Sequence, residues 1–494
     1  MTQSADLRII LGTPASPVLE AFRTDRSHVS MIMGPLGSGK TYAAIVKLLK
    51  IMCEQEPNAD GVRPTRFVAT RNTYPDLTGT TMKDFQEVFT HKFGTMKMGG
   101  LEPPTFKIGI RLADDTRVQS EMIFLALDRE DAVKKVRGYQ LTGAWVNETK
   151  EIVKPIVDML DLRHGRYPSR IAGGVKPTWH GIIGDTNAPD EDHWYYKLAE
   201  EDRPADWKFF KQPGGVFRTG RKDSHGREIW EPNHDAENLG NLPDEYYIRG
   251  MQGKTDAWIA VNLANEYGFV SDGKPVHPEF IDSLHVTSEP IPYDPDIPII
   301  LGIDFGRTPA AAICQRLPQW GRFVCIDEFV SDDMSQAVFG PELRRYLNAH
   351  YPGAKVRGWS DPAGEAKGQA TEDTPRRILV ASGIPCQPAP SNSPTLRRAA
   401  VANPLMRICG DGLPGFLVSP KAKLIRKGLA GGFCFRRMKV AGDERYTDEP
   451  DKNMYSHPVE ALEYMAIGEG EGTAALMPAD YDDDESYQTT ADGM

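Results

Sequence analysis

The sequence predicts an α/β protein with two sheet-bearing domains, on three observations. Short apolar runs alternate with helix-favouring or polar segments through the first half, the pattern of a parallel sheet flanked by helices. One of those runs, Val29-Ser-Met-Ile-Met33, passes through the glycine-rich turn Gly34-Pro-Leu-Gly37-Ser38-Gly39 directly into the helix-favouring Tyr42-Ala-Ala-Ile-Val-Lys-Leu-Leu49. Finally, the proline-dense stretch Glu289-Pro-Ile-Pro-Tyr-Asp-Pro-Asp-Ile-Pro298 reads as a stiff connector and ends at a fresh apolar run, Ile299-Ile-Leu-Gly-Ile303. At 494 residues the chain is long enough for two cores, since single cores stop growing near about 250–300 residues.

Further buried strands of the first domain are expected at Arg66-Phe-Val-Ala-Thr70, Met122-Ile-Phe-Leu-Ala126, Gly143-Ala-Trp-Val146 and His180-Gly-Ile-Ile-Gly184. Residues 201–250 are rich in Pro, Gly, Asn and charge, which are loop compositions. The expected division is a first domain over 1–289, with a lid or linker over about 201–289, a second domain over 290–470, and a flexible acidic tail over 471–494 that contains Asp480-Tyr-Asp-Asp-Asp-Glu-Ser486.

Composition narrows the function classes. Charged residues make up 26% and hydrophobic ones 40%, no apolar stretch is long enough to cross a bilayer, and the Met1-Thr-Gln-Ser4 start carries no cleavable signal, so a soluble cytosolic protein with no membrane partner is expected. The six cysteines are scattered with no CxxC pair, which fits reduced thiols and no zinc site. A net charge of −11 excludes a protein coated in positive charge for indiscriminate nucleic-acid binding. It leaves room for nucleic acid, because the acidic tail and metal-holding carboxylates both count toward the excess.

The segment Gly34-Pro-Leu-Gly37-Ser38-Gly39-Lys40-Thr41 has the strand, glycine loop and helix order that wraps backbone N–H groups around phosphates. In that setting Lys40 reaches the β- and γ-phosphates of ATP and the Thr41 hydroxyl binds Mg²⁺. The partner strand is Leu141-Thr-Gly-Ala-Trp-Val-Asn147-Glu148, where Glu148 is the candidate base that polarises water toward the γ-phosphate. Asn147 stands where such strands usually carry a metal-orienting Asp, and can still hydrogen-bond a metal-bound water without the charge. Arg137 is a candidate to stabilise transferred phosphoryl charge, in its own subunit or a neighbour's, an effect of roughly 10³–10⁵ in rate when well placed. The polar loop Gly184-Asp-Thr186-Asn187-Ala-Pro189 is placed to sense the γ-phosphate, and Arg71 and Asn72 are weaker candidates.

In the second half Asp304 ends a buried apolar strand, and two further strands at 310–314 and 322–330 continue it as a meander. Lys355-Val-Arg-Gly-Trp-Ser360 gives another strand, ending in Asp361, and His457-Pro-Val-Glu460-Ala-Leu-Glu-Tyr-Met465 reads as a helix with proline in its first turn. Asp304, Asp361 and Glu460 can together hold two divalent ions about 3.5–4 Å apart, which clamp a phosphodiester for hydrolysis, and hard oxygen ligands suit Mg²⁺ or Mn²⁺. Asp327, Glu328, Asp451, Glu463 and His457 compete for the same role.

A phosphate-loop ATPase followed by a ribonuclease H-like carboxylate nuclease resembles the large terminase subunit of tailed bacteriophages. The matching pieces are Gly39-Lys40-Thr41, Val136-Arg-Gly138, Trp145-Val-Asn-Glu148, Asp185-Thr-Asn-Ala-Pro-Asp-Glu-Asp-His-Trp-Tyr-Tyr196, Ala264-Asn-Glu-Tyr-Gly-Phe-Val270, Gly302-Ile-Asp304-Phe-Gly306, Asp361-Pro362 and Ser456-His-Pro-Val-Glu-Ala-Leu-Glu-Tyr464. The resemblance implies an ATP-driven motor that moves viral double-stranded DNA through a portal into a procapsid and cuts the concatemer. It implies Lys40 and Thr41 at nucleotide and Mg²⁺, Glu148 as base, Arg137 as a finger offered to a neighbour, Thr186 and Asn187 at the coupling motif, and Asp304, Asp361 and Glu460 as nuclease acids. Asn147 in place of Asp and Glu460 in place of Asp are departures from the family pattern. Implied partners are a small terminase subunit, the portal protein and other copies in a ring, a pentamer by that resemblance. The implied location is the bacterial cytoplasm and, transiently, the procapsid, but not the mature virion. Arg397, Arg398, Lys421, Lys423, Arg426 and Lys427 are candidate phosphate contacts for DNA. A repair-type helicase or translocase with a nuclease attached, and a nucleotide-gated portal adaptor without nuclease activity, are the competing readings.

Overall fold

The computed structural model describes residues 3–100, 102–127, 133–169, 175–223, 227–270, 273–305, 308–331, 334–365, 374–438 and 445–472. Gly306 and the acidic tail lie outside the described residues. The chain divides into two compact units at Phe269/Val270.

In unit 1, β1 (Val29–Met33), β2 (Val62–Arg71), β3 (Gly94–Lys97), β4 (Thr105–Arg111), β5 (Arg117–Ala126), β6 (Gly143–Asn147), β7 (Gly181–Thr186) and β8 (Trp207–Lys211) form one eight-stranded sheet in the order β3-β4-β5-β2-β6-β7-β1-β8. All pairs from β5 to β8 are parallel, and β3 and β4 add an antiparallel edge. Every residue of β1, β6 and β7 is buried, which explains their continuous apolar runs. β4 instead alternates buried and exposed residues along Thr105–Arg111, as expected of a strand with one solvated face. The helix Lys40–Glu54 packs on this sheet, and Phe85 joins Phe89, Phe106 and Phe124 in an aromatic cluster with Phe85 stacked on Phe89 at 4.4 Å between centroids.

Residues 201–250, expected as loop, contain regular structure. Trp207-Lys-Phe-Phe-Lys211 is the eighth strand of the main sheet, parallel to β1. β9 (Val216–Lys222) and β10 (Glu228–Pro232) then form an antiparallel pair, and Val216, Trp230, Tyr247, Ile259 and Leu263 build a small second core. Two aromatic anchors, Phe210 and Trp230, outweigh the turn-forming composition around them.

Unit 2 begins with β11 (Lys274–Pro275). Its main sheet contains β12 (Ile299–Asp304), β13 (Ala310–Leu317), β14 (Arg322–Val330), β15 (Val356–Ser360), β16 (Cys386–Pro388) and β17 (Phe416–Val418) in the order β16-β15-β12-β13-β14-β17. The β12-β13-β14 meander is antiparallel, whereas β15, β16 and β17 attach in parallel. β18 (Cys434–Phe435) returns to pair with β11. That pairing puts the start of unit 2 before residue 290. His277 Nε2 also lies 3.0 Å from Glu463, and His285 Nε2 3.0 Å from the Leu405 carbonyl oxygen. Residues expected to connect the domains are therefore part of the second unit. Its proline-dense stretch is tied down by Gln315, whose amide donates to the carbonyls of Asp294 and Ile297 at 2.7 Å.

The helix Ser456–Gly468 is buried along almost its whole length and packs against β12. The approach is close because position 302 carries no side chain: a Cβ there would stand 1.9 Å from the Ala461 carbonyl oxygen. Gly302→Ala is expected to destabilise unit 2 by about 1–3 kcal/mol or more, read as a lower denaturation midpoint. Gly109→Ala on β4, with nothing within 4 Å of the added carbon, is the neutral reference.

Candidate functional site

The glycine loop of unit 1 leaves the carboxyl end of β1, which lies between β7 and the edge strand β8. Gly37 and Gly39 have φ of +77° and +79°, a region that L side chains rarely adopt, and so turn the chain sharply into the helix Lys40–Glu54. Side chains from distant segments brace the loop. Asn238 Nδ2 donates to the Gly37 carbonyl at 2.8 Å, Gln212 Nε2 to that of Ser38 at 3.1 Å, and the Tyr247 hydroxyl to that of Leu36 at 3.0 Å. Asn265 Nδ2 clamps the end of β1 by donating to the carbonyls of Met33 and Gln212 at 3.3 and 2.7 Å. The N–H groups of Gly34 and Leu36 also donate to the carbonyls of Thr186 and Asn262, so the loop is fixed from both sides, and its turn into the helix Lys40–Glu54 forms a cradle suited to an anion. A cavity of about 650 Å³ opens beside Gly39 and Tyr42, lined also by Ser16, His234, Asn238 and Asn241.

Lys40 lies against this cradle with its ammonium 3.4 Å from the Pro35 carbonyl oxygen, a long contact for a buried cation. Burial pushes its pKa down to about 8, opposed by the charge of Asp185. Asp185 has no exposed surface and collects three hydrogen bonds: from the Thr41 hydroxyl at 2.7 Å, Trp145 Nε1 at 2.6 Å and Asn147 Nδ2 at 3.0 Å. Asn147 in turn accepts from the Thr81 hydroxyl at 2.6 Å. Strand register creates this contact, since Asp185 on β7 lies opposite Asn147 on β6 and Ile32 on β1. Burial raises the Asp185 carboxyl above its usual range, against the pull of its three donors and Lys40.

Glu148 leaves the end of β6 at φ +49° and accepts from the Asn187 backbone N–H at 3.4 Å. Thr186 accepts from the Lys150 backbone N–H at 3.2 Å and donates to the Asn187 carbonyl at 2.9 Å, so Thr186 and Asn187 sit against the segment that carries Glu148. Two buried atoms, Ser38 Oγ and Asn187 Oδ1, have no hydrogen-bond partner. Arg137 is exposed in the turn after Val133–Val136, and among the described residues no contact joins it to the loop. The guanidinium beside Glu148 is that of Arg71, 4.0 Å away, which also lies 3.4 Å from Glu151. Asp185 was not singled out by motif reasoning. Its signal is a carboxylate inside a strand otherwise made of apolar and small residues, next to the strand that feeds the glycine loop.

In unit 2 the structure brings Asp304, His457 and Glu460 together, with one ligand atom of each within 4.8 Å of the others. Asp304 ends β12, and its Oδ2 is 2.7 Å from His457 Nδ1 on the helix Ser456–Gly468. Glu460, three residues on from His457 and so on the same helical face, is buried; it binds the Lys452 ammonium and lies 3.4 Å from Arg397. Burial pushes Glu460 above the usual carboxylate range, with Lys452 opposing. Asp361 follows β15, the parallel neighbour of β12, and its Oδ1 accepts from the Ala363 N–H at 2.8 Å. It does not join the three-residue cluster among the described residues, although its charge acts together with those of Asp304 and Glu460 on the buried Tyr464 phenol.

The competing acids are engaged elsewhere. Asp327 accepts from the hydroxyls of Tyr346 and Tyr351, each at 2.7 Å. Glu328 accepts from the backbone N–H groups of Leu424 and Ile425, Asp451 pairs with Arg436 at 2.7 Å, and Glu463 lies between His277 and Arg397. Two of the candidate DNA-contact cations have internal roles as well: Arg397 is buried against Glu460 and Glu463, and Arg426 makes a bidentate pair with Asp282 at 2.7 Å.

The oxygens of Asp304 and Glu460 are the hard donors that suit Mg²⁺ or Mn²⁺, His457 is bonded to Asp304, and the Lys452 side chain on Glu460 is 62% exposed, free to yield to a solvent cation. No family model matches the chain, and no curated protein matches it. Among solved structures, the large terminase of the thermophilic bacteriophage D6E is 13% identical, covers 96% of this chain and 99% of its own, and superposes with a TM-score of 0.36. The HK97 bacteriophage large terminase is 11% identical over 96% of this chain and 100% of its own, with a TM-score of 0.39. The P22 large terminase nuclease domain is 10% identical over 40% of this chain and 93% of its own, with a TM-score of 0.30. Likeness at this level leaves the functional reading to the side chains.

The Asp304 hydrogen bond raises His457 above its ordinary pKa of 6.5, against the effect of burial. Protonated His457 therefore stabilises the fold most fully below pH 6.5, and the contribution fades as pH rises through the raised value. In metal-free buffer, NMR titration of His457 is expected to give a pKa above 6.5, and Asp304→Asn is expected to bring it down.

Proposed function

We propose that unit 1 is a P-loop ATPase and unit 2 a ribonuclease H-like, metal-dependent nuclease, and that the chain is the large subunit of a bacteriophage DNA-packaging terminase. The observation that carries the reading is the junction of Lys40, Thr41 and Asp185 at the mouth of the glycine loop, 2.7 Å between the last two. It is supported by a second, separate cluster of metal-suited groups at Asp304, His457 and Glu460. Partners under this reading are double-stranded DNA, the portal, a small terminase subunit and further copies of the chain.

In unit 1 the loop N–H groups and Lys40 bind the triphosphate of ATP, and Thr41 with Asp185 forms the Mg²⁺ side of the site. Mg²⁺, when bound, supplies charge neutralisation at the phosphate oxygens. Glu148 takes the proton from the attacking water. Asn187, whose N–H reaches Glu148, carries a change at the phosphates into the segment after β7. Arg71 is the interior arginine beside the base, whereas Arg137, exposed, is positioned for a neighbouring subunit.

The loss of charge at Asn147 has a compensation in this arrangement. Asp185 carries a carboxylate on the adjacent strand and touches both Thr41 and Asn147. The metal-orienting charge has moved one strand closer to the phosphate loop. In unit 2, Asp304, Glu460 and Asp361 hold the divalent ions, and His457 positions Asp304 through their 2.7 Å hydrogen bond. The ions, when bound, activate water and stabilise the leaving oxygen of a phosphodiester.

Lys40→Ala is expected to lower ATP turnover by about 10²-fold or more while Mn²⁺-dependent plasmid cleavage persists. Asp304→Asn is expected to abolish cleavage and spare ATP hydrolysis. Loss of both activities in either variant, or of neither, contradicts separate sites, and ATP-driven strand separation in place of duplex translocation would favour a helicase. Asp185→Asn should remove the Mg²⁺ enhancement of ATP-analogue binding measured by fluorescence, leaving binding in EDTA intact. The doubly exchanged Asn147→Asp/Asp185→Asn chain should recover most of it; no recovery would mean that Asp185 acts only as a structural brace.

A further inference from the structure

Three histidines of unit 1 meet at the end of the sheet opposite the glycine loop. His28 immediately precedes β1 and His180 immediately precedes β7; these strands are parallel neighbours with Val29 opposite Ile182, so the two imidazoles start from one edge. His164 comes from the turn after the helix Lys154–Asp161, whose last residue is Asp161. One ring nitrogen of each histidine lies within 4.8 Å of the other two. Asp161 Oδ1 is 2.8 Å from His28 Nε2 and 3.0 Å from His164 Nε2, and His164 Nδ1 is 2.9 Å from His180 Nδ1.

We propose that His28, His164 and His180 form a binding site for one divalent transition-metal ion of the zinc class, with Asp161 as the carboxylate that orients the His28 and His164 rings. Three imidazole nitrogens supply three corners of a tetrahedral site and leave the fourth to water, and imidazole ligands select such ions over Mg²⁺ and Ca²⁺. With metal–nitrogen distances of about 2.0–2.1 Å, ligand nitrogens around a tetrahedral ion stand about 3.4 Å apart, a spacing within reach of side-chain rotation from the separations seen here. Burial and the neighbouring imidazoles push His180 down, and hydrogen bonds from His164 and His28 hold Asp161 below the usual carboxylate range. Neutral imidazole is the ligating form, and a charged carboxylate beside it fixes the ring orientation.

The side chains of His28 and Asp161 are 33% and 34% exposed, which gives an ion a path from solvent, while that of His164 is 4% exposed and anchors the cluster inside. The site uses no cysteine, so the cysteine spacing that argued against zinc does not bear on it. The five residues of β1 span about 17 Å, which separates this ion from anything held at the glycine loop. Bound here, it would fasten β1, β7 and the helix Lys154–Asp161 to one another. The inference stands whether or not unit 1 hydrolyses ATP.

The test uses the full chain carrying Asp304→Asn and Glu460→Gln, which silences the unit 2 cluster, stripped with EDTA and titrated with Co²⁺ and then Zn²⁺. One equivalent per chain is expected, with visible Co²⁺ absorption of a tetrahedral site that Zn²⁺ bleaches, and a higher unfolding temperature in the loaded protein. His164→Gln and His180→Gln should each weaken binding by about tenfold or more with an unchanged circular dichroism spectrum. Asp161→Asn, at a half-buried position, serves where either histidine variant does not fold. No saturable binding in the parent chain, or equal binding in the variants, would overturn the site and leave a hydrogen-bonded histidine–aspartate cluster.

Discussion

A carboxylate with no exposed surface has to be met by donors, and the way Asp185 is met organises unit 1 of this protein. Its three hydrogen bonds come from the helix after the glycine loop and twice from the neighbouring strand β6. Two consequences follow from that one charge. The loop-helix junction is registered against the sheet at Thr41, and the polar end of β6 is drawn to the same point. An apolar residue at 185 would leave the Trp145 and Asn147 donors unpaired in the interior, at a cost of about 1–3 kcal/mol each.

The bracing of the glycine loop extends this constraint to residues far along the chain. Gln212, Asn238, Tyr247 and Asn265 all donate to carbonyls in or beside it. The small core around Trp230 and Tyr247 is thus joined to the glycine loop through hydrogen bonds. The segments that carry Gln212, Asn238, Tyr247 and Asn265 form part of the loop's support. This is why they hold regular structure despite a composition rich in turn formers.

What could be read from the sequence followed its local signals. The buried strands β1, β6, β7 and β12, the glycine turn and the helix bearing Glu460 are each marked by a contiguous run, and each is present. The edge strands β3 and β8 and the antiparallel strand β4 are short or half-exposed, so their apolar signal is diluted. The role of Asp185 depends on register between strands that lie about 40 residues apart in sequence, and no local pattern encodes it. The same holds for the acids of unit 2. Asp304 and Glu460 were legible as candidates, but separating them from Asp327, Asp451 and Glu463 required their partners, such as Tyr351 for Asp327 and His277 for Glu463. The histidine cluster of unit 1 gave no motif at all, because its members come from segments that meet only after the sheet forms.

The crossing of the helix Ser456–Gly468 over Gly302 governs the second site in a way that side chains alone do not. With backbone against backbone and no room for even one carbon, the helix rests directly on β12. The gap between the Asp304 and Glu460 backbones is therefore a fixed length. Under the reading proposed for unit 2, ions of different radius would be met by torsion in the longer Glu460 arm, so that discrimination between metals would be a property of the skeleton.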